Sequence, residues 1–569
     1  MTSQGWFQIA IFVATITVLV NPLGGYIARV MAGTSVFQRK MSRIENGLYH
    51  IAGVNPFEEQ TWMEYAIALV WFNLIGMVVL YGLQRLQSVL PFNPQRMPTV
   101  SPALALNTAV SFATNTSWQS YGGETTLGYL VQMAGITVQS FLSGACGIAV
   151  AIALVRGFAR NSTHTIGNFW VDLTRAVFYI LLPICVVATL FLIWEGVPQS
   201  LGPYITTTTL EGPQQLLALG PVASQEAIKL LSGDGGGFFN ANSAHPFENP
   251  TAFSSLIEML LIFLIGAGLT NTFGRMVGNS RQGWVLYAAM IAMFCVGVAT
   301  TYAGETTPNA AYPHQIDQTP GPRQTGGNME GKEVRFGPGQ SALFATVTTA
   351  SSDGAVNAMH DSFMPLSATV LMSNMMLDEV IIGGPGSGLF GMLLFAVVAV
   401  FIAGLIIGRT PEYLGKKIEA NEIKMTMLAL LCVPACILGM VAIAAVVPQA
   451  LASLNNTGPH GFSEIVYDFT SGVATNGSAF AGLNANTPFF NLTLAAVMFL
   501  GRFGVIVPVL CIAGLLAAKR VTPVSSGTLP TDGLQFIGLL IGTAIIVGGL
   551  TFFPMLALGP IAELFAKAF

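Results

Sequence analysis

Four short stretches of the 569-residue sequence share a pattern: a semi-apolar run too short to cross a bilayer, followed by small and polar residues. They read SFATNTSW from Ser111, IKLLSGDGGG from Ile228, FATVTTASSDG from Phe344 and DFTSGVATNG from Asp468. One Asn or Asp from each, namely Asn115, Asp234, Asp353 and Asn476, falls at intervals of 119, 119 and 123 residues. Such regular spacing marks an internal repeat, and a repeat decides architecture before any single motif does. Ordinary connectors are also rich in Gly, Asn, Ser and Thr, but nothing holds them at matched intervals.

The chain between these stretches is apolar. A composition of 53% hydrophobic and 9% charged residues, with a mean hydropathy of +0.64, belongs to a polytopic membrane protein. Ten runs reach the roughly 20 residues that span a bilayer: 7–28, 63–84, 126–155, 173–194, 253–274, 284–303, 363–408, 425–448, 488–517 and 533–555. The seventh is too long for one straight crossing. It contains Asp378, Glu379, Gly383, Gly384, Pro385, Gly386 and Gly388, so an interrupted helix with irregular backbone at membrane depth is expected. A run such as Ser341 to Ala350 is about 15 Å long as a helix, enough to dip into the membrane and return. The expected fold is all-α, with four pseudo-repeats of helix, re-entrant half-helix, loop and helix around one pore, plus an extra N-terminal span. Its divisions are 1–62, 63–165, 166–281, 282–423, 424–520 and 521–569.

With the N-terminus outside, inner loops and span ends hold 15 of the 23 Lys and Arg residues, which favours that orientation. The first apolar run lacks a basic leader and reads as a membrane anchor. A net charge of -4 without basic runs gives no support to nucleic-acid binding. All six cysteines lie in apolar segments and are expected as free, buried thiols. Gly386 to Gly391 fits GxGxxG, but no strand precedes it, so no dinucleotide site is assigned.

GGGFFNANSAHPFENP from Gly235, TNTSWQSYGGE from Thr114, GAVNAMHDS from Gly354, NGSAFAGLNANTPFFN from Asn476 and GRFGVIVP from Gly501 closely resemble the KdpA family. Its members are the potassium-binding, channel-like subunits of Kdp-type potassium-transporting ATPases. The resemblance covers essentially the whole chain. It implies a K+-selective subunit of an ATP-driven uptake complex in the bacterial plasma (inner) membrane, in which K+ is the transported ion and no organic cofactor is held. ATP would be used by a P-type subunit, KdpB, with the small subunits KdpC and KdpF and membrane lipid as further partners. The sequence itself carries neither a DKTGT motif nor a GxxxxGK loop. The alternatives are a stand-alone K+ transporter or channel of the same superfamily, or a membrane enzyme using His245, Glu248 and His360; the last lacks any metal-ligand or nucleophile-base spacing.

Carried over by the resemblance, the ion filter comprises Thr114, Asn115 and Thr116; Gly233, Asp234 and Gly235; Ser352, Asp353 and Gly354; and Thr475, Asn476 and Gly477. Gln119 is expected close beneath it, and Glu379 with Arg502 below that, as a charged pair diverting the ion. Asp234 and Asp353 depart from the family pattern, and both are expected to point away from the ion and accept backbone N–H bonds. An ionisable residue at membrane depth is functional by default. Glu258 has no evident sequence partner and is assigned to the face of a neighbouring subunit.

Overall fold

The computed structural model describes residues 1–310, 312, 316–321, 324–378, 380–408, 410–523 and 528–566. Among them, ten segments are long and apolar enough to cross a membrane, and they match the ten expected runs. The first is the helix Ser3–Met31, capped by Thr2, whose side chain accepts the Gly5 N–H. It lies along the fifth-span helix Ala252–Met276, where Gly24 is so close to Gly268 and Asn271 that no Cβ would fit. The last, Leu534–Leu558, packs on the outside against Ser280–Glu305 and Ser387–Ile407.

Burial sorts the spans. The third (Val131–Ala159) and ninth (Pro488–Ala518) are largely enclosed and pack against one another, whereas the second, eighth and tenth show most of their surface to lipid. The expectation of six buried thiols fails for the same reason. Cys146 and Cys185 are buried, Cys432, Cys436 and Cys511 are half-buried, and Cys295 is exposed, because apolar in sequence means lipid-facing as often as core.

Four short helices dip in and stop: Pro102–Ala113, Val222–Leu231, Gly337–Ala350 and Gly458–Val473. Three of them carry Pro in the first turn, where its missing N–H and fixed φ suit a helix start. The seventh span breaks where the glycines and Pro385 fall. Helix Pro365–Met376 ends, an irregular stretch follows with left-handed backbone at Asp378, Ile382, Gly383 and Gly386, and helix Ser387–Ile407 resumes.

Candidate ion-selective site

Each pore helix ends in the same device. The residue two past the helix is left-handed: Asn115 (φ 61°), Gly233 (58°), Ser352 (62°) and Thr475 (57°). The N–H of the next residue then reaches back five positions to a helix carbonyl: Thr116 to Ser111 (2.9 Å), Asp234 to Lys229 (3.0 Å), Asp353 to Thr348 (3.4 Å) and Asn476 to Ser471 (2.9 Å). This is the six-to-one hydrogen bond of a Schellman cap. Glycine normally fills its left-handed position, and only the second loop obeys. Thr475, β-branched at positive φ, is held against a cost of about 1–3 kcal/mol.

The caps fix a register that residue identity misplaces by one in the first loop. Thr116, not Asn115, corresponds to Asp234, Asp353 and Asn476. The first quarter of the ring is therefore Asn115, Thr116 and Ser117, and Ser117 (φ 55°) matches Gly235 (92°) and Gly477 (89°). Thr114 belongs to the helix end instead, its hydroxyl donating to the Val110 carbonyl at 2.9 Å. Counting from the last helical residue would have found Ser117; matching Asn with Asp did not.

Neighbouring loops touch in order and close a ring. The Asn115 side-chain amide donates to the Gly233 carbonyl at 2.7 Å, joining the first loop to the second. The Gly354 N–H donates to the Asp234 carbonyl at 3.1 Å, and the Ser352 hydroxyl to the Thr475 carbonyl at 3.3 Å. The fourth loop meets the first at Gly477, where a Cβ would stand 1.7 Å from the Thr116 carbonyl oxygen. Likewise a Cβ on Gly235 would stand 2.0 Å from the Gly354 nitrogen. These two glycines are required by close approach as well as by φ.

In the third and fourth loops the side chain at the middle position braces the backbone. Asn476 accepts the Ser478 N–H at 3.1 Å and donates to the Thr348 carbonyl at 3.0 Å, and Asp353 accepts the Ala355 N–H at 2.8 Å. Asp353 thus braces as expected. Asp234 does not: it is fully buried, and among the described residues no backbone N–H donates to either of its oxygens. What anchors the second loop is a buried network. Lys229 binds Glu226 (2.8 Å), Glu248 (2.7 Å) and the side-chain Oδ1 of Asn242 (2.8 Å), and the Asn242 side-chain amide nitrogen donates to the Gly235 carbonyl at 2.9 Å. Glu248 also accepts the Phe239 N–H, while His245 stacks on Phe239 and takes the Phe247 N–H. Both residues fix the returning loop. Lys229 is 1% exposed, its charge held inside this network. Glu258 is completely buried within this chain, which removes it from any subunit-facing surface.

On the side to which the loops return lies a cavity of about 790 Å³, whose floor includes Ser117, Gly235, Gly354 and Gly477. Gln119 lines this vestibule. Its amide oxygen accepts the Gly237 N–H at 2.9 Å, and its nitrogen donates to the Gly237 carbonyl at 3.2 Å. The expected place beneath the ring is therefore corrected, since the chain climbs away from the pore helix after Ser117 and carries Gln119 upward.

At the opposite end sits the broken seventh span. A Cβ on Gly233 would meet Pro385 at 2.4 Å, Gly384 faces Ser352, and the Gly383 N–H donates to the Ala350 carbonyl at 3.1 Å. Arg502 is buried at the same level and donates to the Ser143 carbonyl at 3.2 Å. Its expected partner Glu379 lies outside the described residues.

A clamp at the rim joins the segment returning from the third loop, the start of the fourth pore helix and Glu563. The His460 imidazole lies 2.9 Å from Asp361 and 2.9 Å from Glu563. Burial lowers its proton affinity, but hydrogen bonds to the two carboxylates outweigh that and hold the pKa near 10.

The chain is similar to known proteins in sequence and in fold. The chain is 59% identical over 569 residues to a potassium-transporting ATPase potassium-binding subunit of Methylobacterium nodulans, covering 100% of this chain and 98% of that one. It is also 59% identical over 564 residues to the subunit of the same description from Mesorhizobium japonicum, covering 99% and 98%. In fold it is similar to the potassium transporter TrkH from Vibrio parahaemolyticus, with a TM-score of 0.52 at 13% identity, over 89% of this chain and 98% of that one. Residues 10–565 match the KdpA family, described as potassium-transporting ATPase A subunit, and the chain belongs to that family.

Proposed function

We propose that this chain is the potassium-binding, ion-selecting subunit of an ATP-driven uptake complex, taking K+ through the four-loop ring. The observation that carries the reading is the closed ring of backbone at Asn115–Ser117, Gly233–Gly235, Ser352–Gly354 and Thr475–Gly477. Selecting a weakly hydrated monovalent cation requires oxygens that replace its water shell at fixed spacing, and carbonyls and hydroxyls on over-determined loops supply them. All four pore helices end at the ring, and their C-terminal dipoles make it electronegative.

Beneath the ring, Gly383 to Pro385 and Arg502 stand against a straight path inward, and they turn the ion toward the P-type ATPase subunit that hydrolyses ATP. KdpC and KdpF complete the complex, in a bacterial inner membrane with this chain's N-terminus outside, the orientation favoured by the Lys and Arg distribution. Growth at limiting K+ of cells lacking other uptake routes tests the division of labour. Co-expression with the ATPase subunit, KdpC and KdpF is expected to restore growth, and this chain alone is not. Accumulation of K+ by this chain alone would overturn the ATP-driven reading in favour of a stand-alone transporter or channel.

A further inference from the structure

The helix Val36–Ala52 follows the first span after a short turn and is strongly two-sided. One face is buried in the protein through Gln38, Glu45 and Tyr49. Glu45 is fully engaged there, ion-paired with Arg175 at 3.4 Å and accepting the Tyr49 and Tyr179 hydroxyls at 2.8 and 2.9 Å. Seven-residue spacing places Phe37, Ile44 and Ile51 on a second face, and they are 42%, 54% and 85% exposed. Between this face and the fourth span runs an apolar groove of about 260 Å³, walled by Phe37, Met41, Ile44 and Leu48 on one side and Phe178 and Leu182 on the other. Lys40 borders the apolar face, and Arg39 and Arg43 continue around the helix away from the buried side, all three exposed.

We infer that this helix lies in the membrane interface and that the groove holds an acyl chain of an anionic phospholipid, whose headgroup is met by Lys40, Arg43 and Arg39. Apolar side chains this exposed beside three cations match an amphiphile with a negative head, and combined apolar insertion and basic charge is what makes interfacial binding firm. The carboxylate in the groove wall does not oppose the headgroup, because Arg175 neutralises it.

Titrating fluorescent phosphatidylglycerol, and phosphatidylcholine as the neutral probe, into the full-length chain in detergent tests the assignment. Wild type is expected to prefer phosphatidylglycerol. R39Q/K40Q/R43Q is expected to lose that preference, weakening binding about a hundredfold, while I44S weakens both lipids alike; unchanged melting temperatures certify both variants as folded. Equal binding of the two lipids by wild type, or a preference retained by the triple variant, overturns the inference. So does a photoreactive residue at position 51 that captures a partner polypeptide rather than lipid in native membranes.

Discussion

In the second pore loop the left-handed positions are held by Gly233 and Gly235, whereas in the first they are held by Asn115 and Ser117. The hydrogen-bonded cap is the same in both. The second loop takes its conformation from residues that adopt it freely, and it needs an external brace, the Lys229 and Asn242 network, to keep it in place. The first forces ordinary residues into that conformation and is braced by the side chain of one of them, Asn115, which donates to the Gly233 carbonyl and accepts the Ser143 hydroxyl. One backbone is thus reached by freedom plus scaffolding or by strain plus self-bracing.

The contrast is exposed most severely by Gly235→Ala. Its new methyl has no room beside Gly354, and φ is wrong for alanine, so a loss of folded protein in detergent extracts is expected. Next comes Lys229→Met, which strands Glu226 and Glu248 as buried carboxylates without their cation. A loss of about 3–5 kcal/mol is expected, read as a lower melting temperature, and a stable variant would show that the second loop needs no scaffold. Asn115→Ala should cost about 1–3 kcal/mol by leaving the buried Gly233 carbonyl without its side-chain donor, the Ser143 hydroxyl keeping the Ser140 carbonyl as acceptor; a neutral result would show that the first loop does not brace itself. Smallest is Ser117→Gly, which relieves positive φ and is expected to raise stability slightly, by up to about 1 kcal/mol.

The rim clamp provides a control outside the compared loops. Because the folded pKa of His460 lies near 10, above the ordinary value of 6.5, its contribution is complete below about 6.5 and is lost as pH rises through 10. The melting temperature should therefore fall across that interval, and His460→Gln should abolish this component; an identical profile in the variant would remove the clamp from the stability of the rim.

Span number and limits were legible because bilayer thickness imposes a length that few soluble elements share. The break in the seventh span was legible for an equally local reason, the density of Gly and Pro at 383–388. The first loop's register was not, because Asn115 and Asp234 are chemically alike while the conformation is counted from the helix end. Lys229 could not be read either. A lysine before a polar loop looks solvated, and only tertiary structure brings Glu248 to within 2.7 Å of it. Gln119 was misplaced since the direction in which a loop leaves the ring is not written in its residue types.

The third repeat supplies both a wall of the ring, Ser352 to Gly354, and the irregular chain pressed against its inner end, Gly383 to Pro385. Thermodynamic linkage then imposes a symmetry: whatever factor a displacement of that chain applies to ion affinity, ion occupancy applies in return to the displacement. If ions bind the ring as proposed, its occupancy would be felt at the start of helix Ser387–Ile407 without a separate messenger.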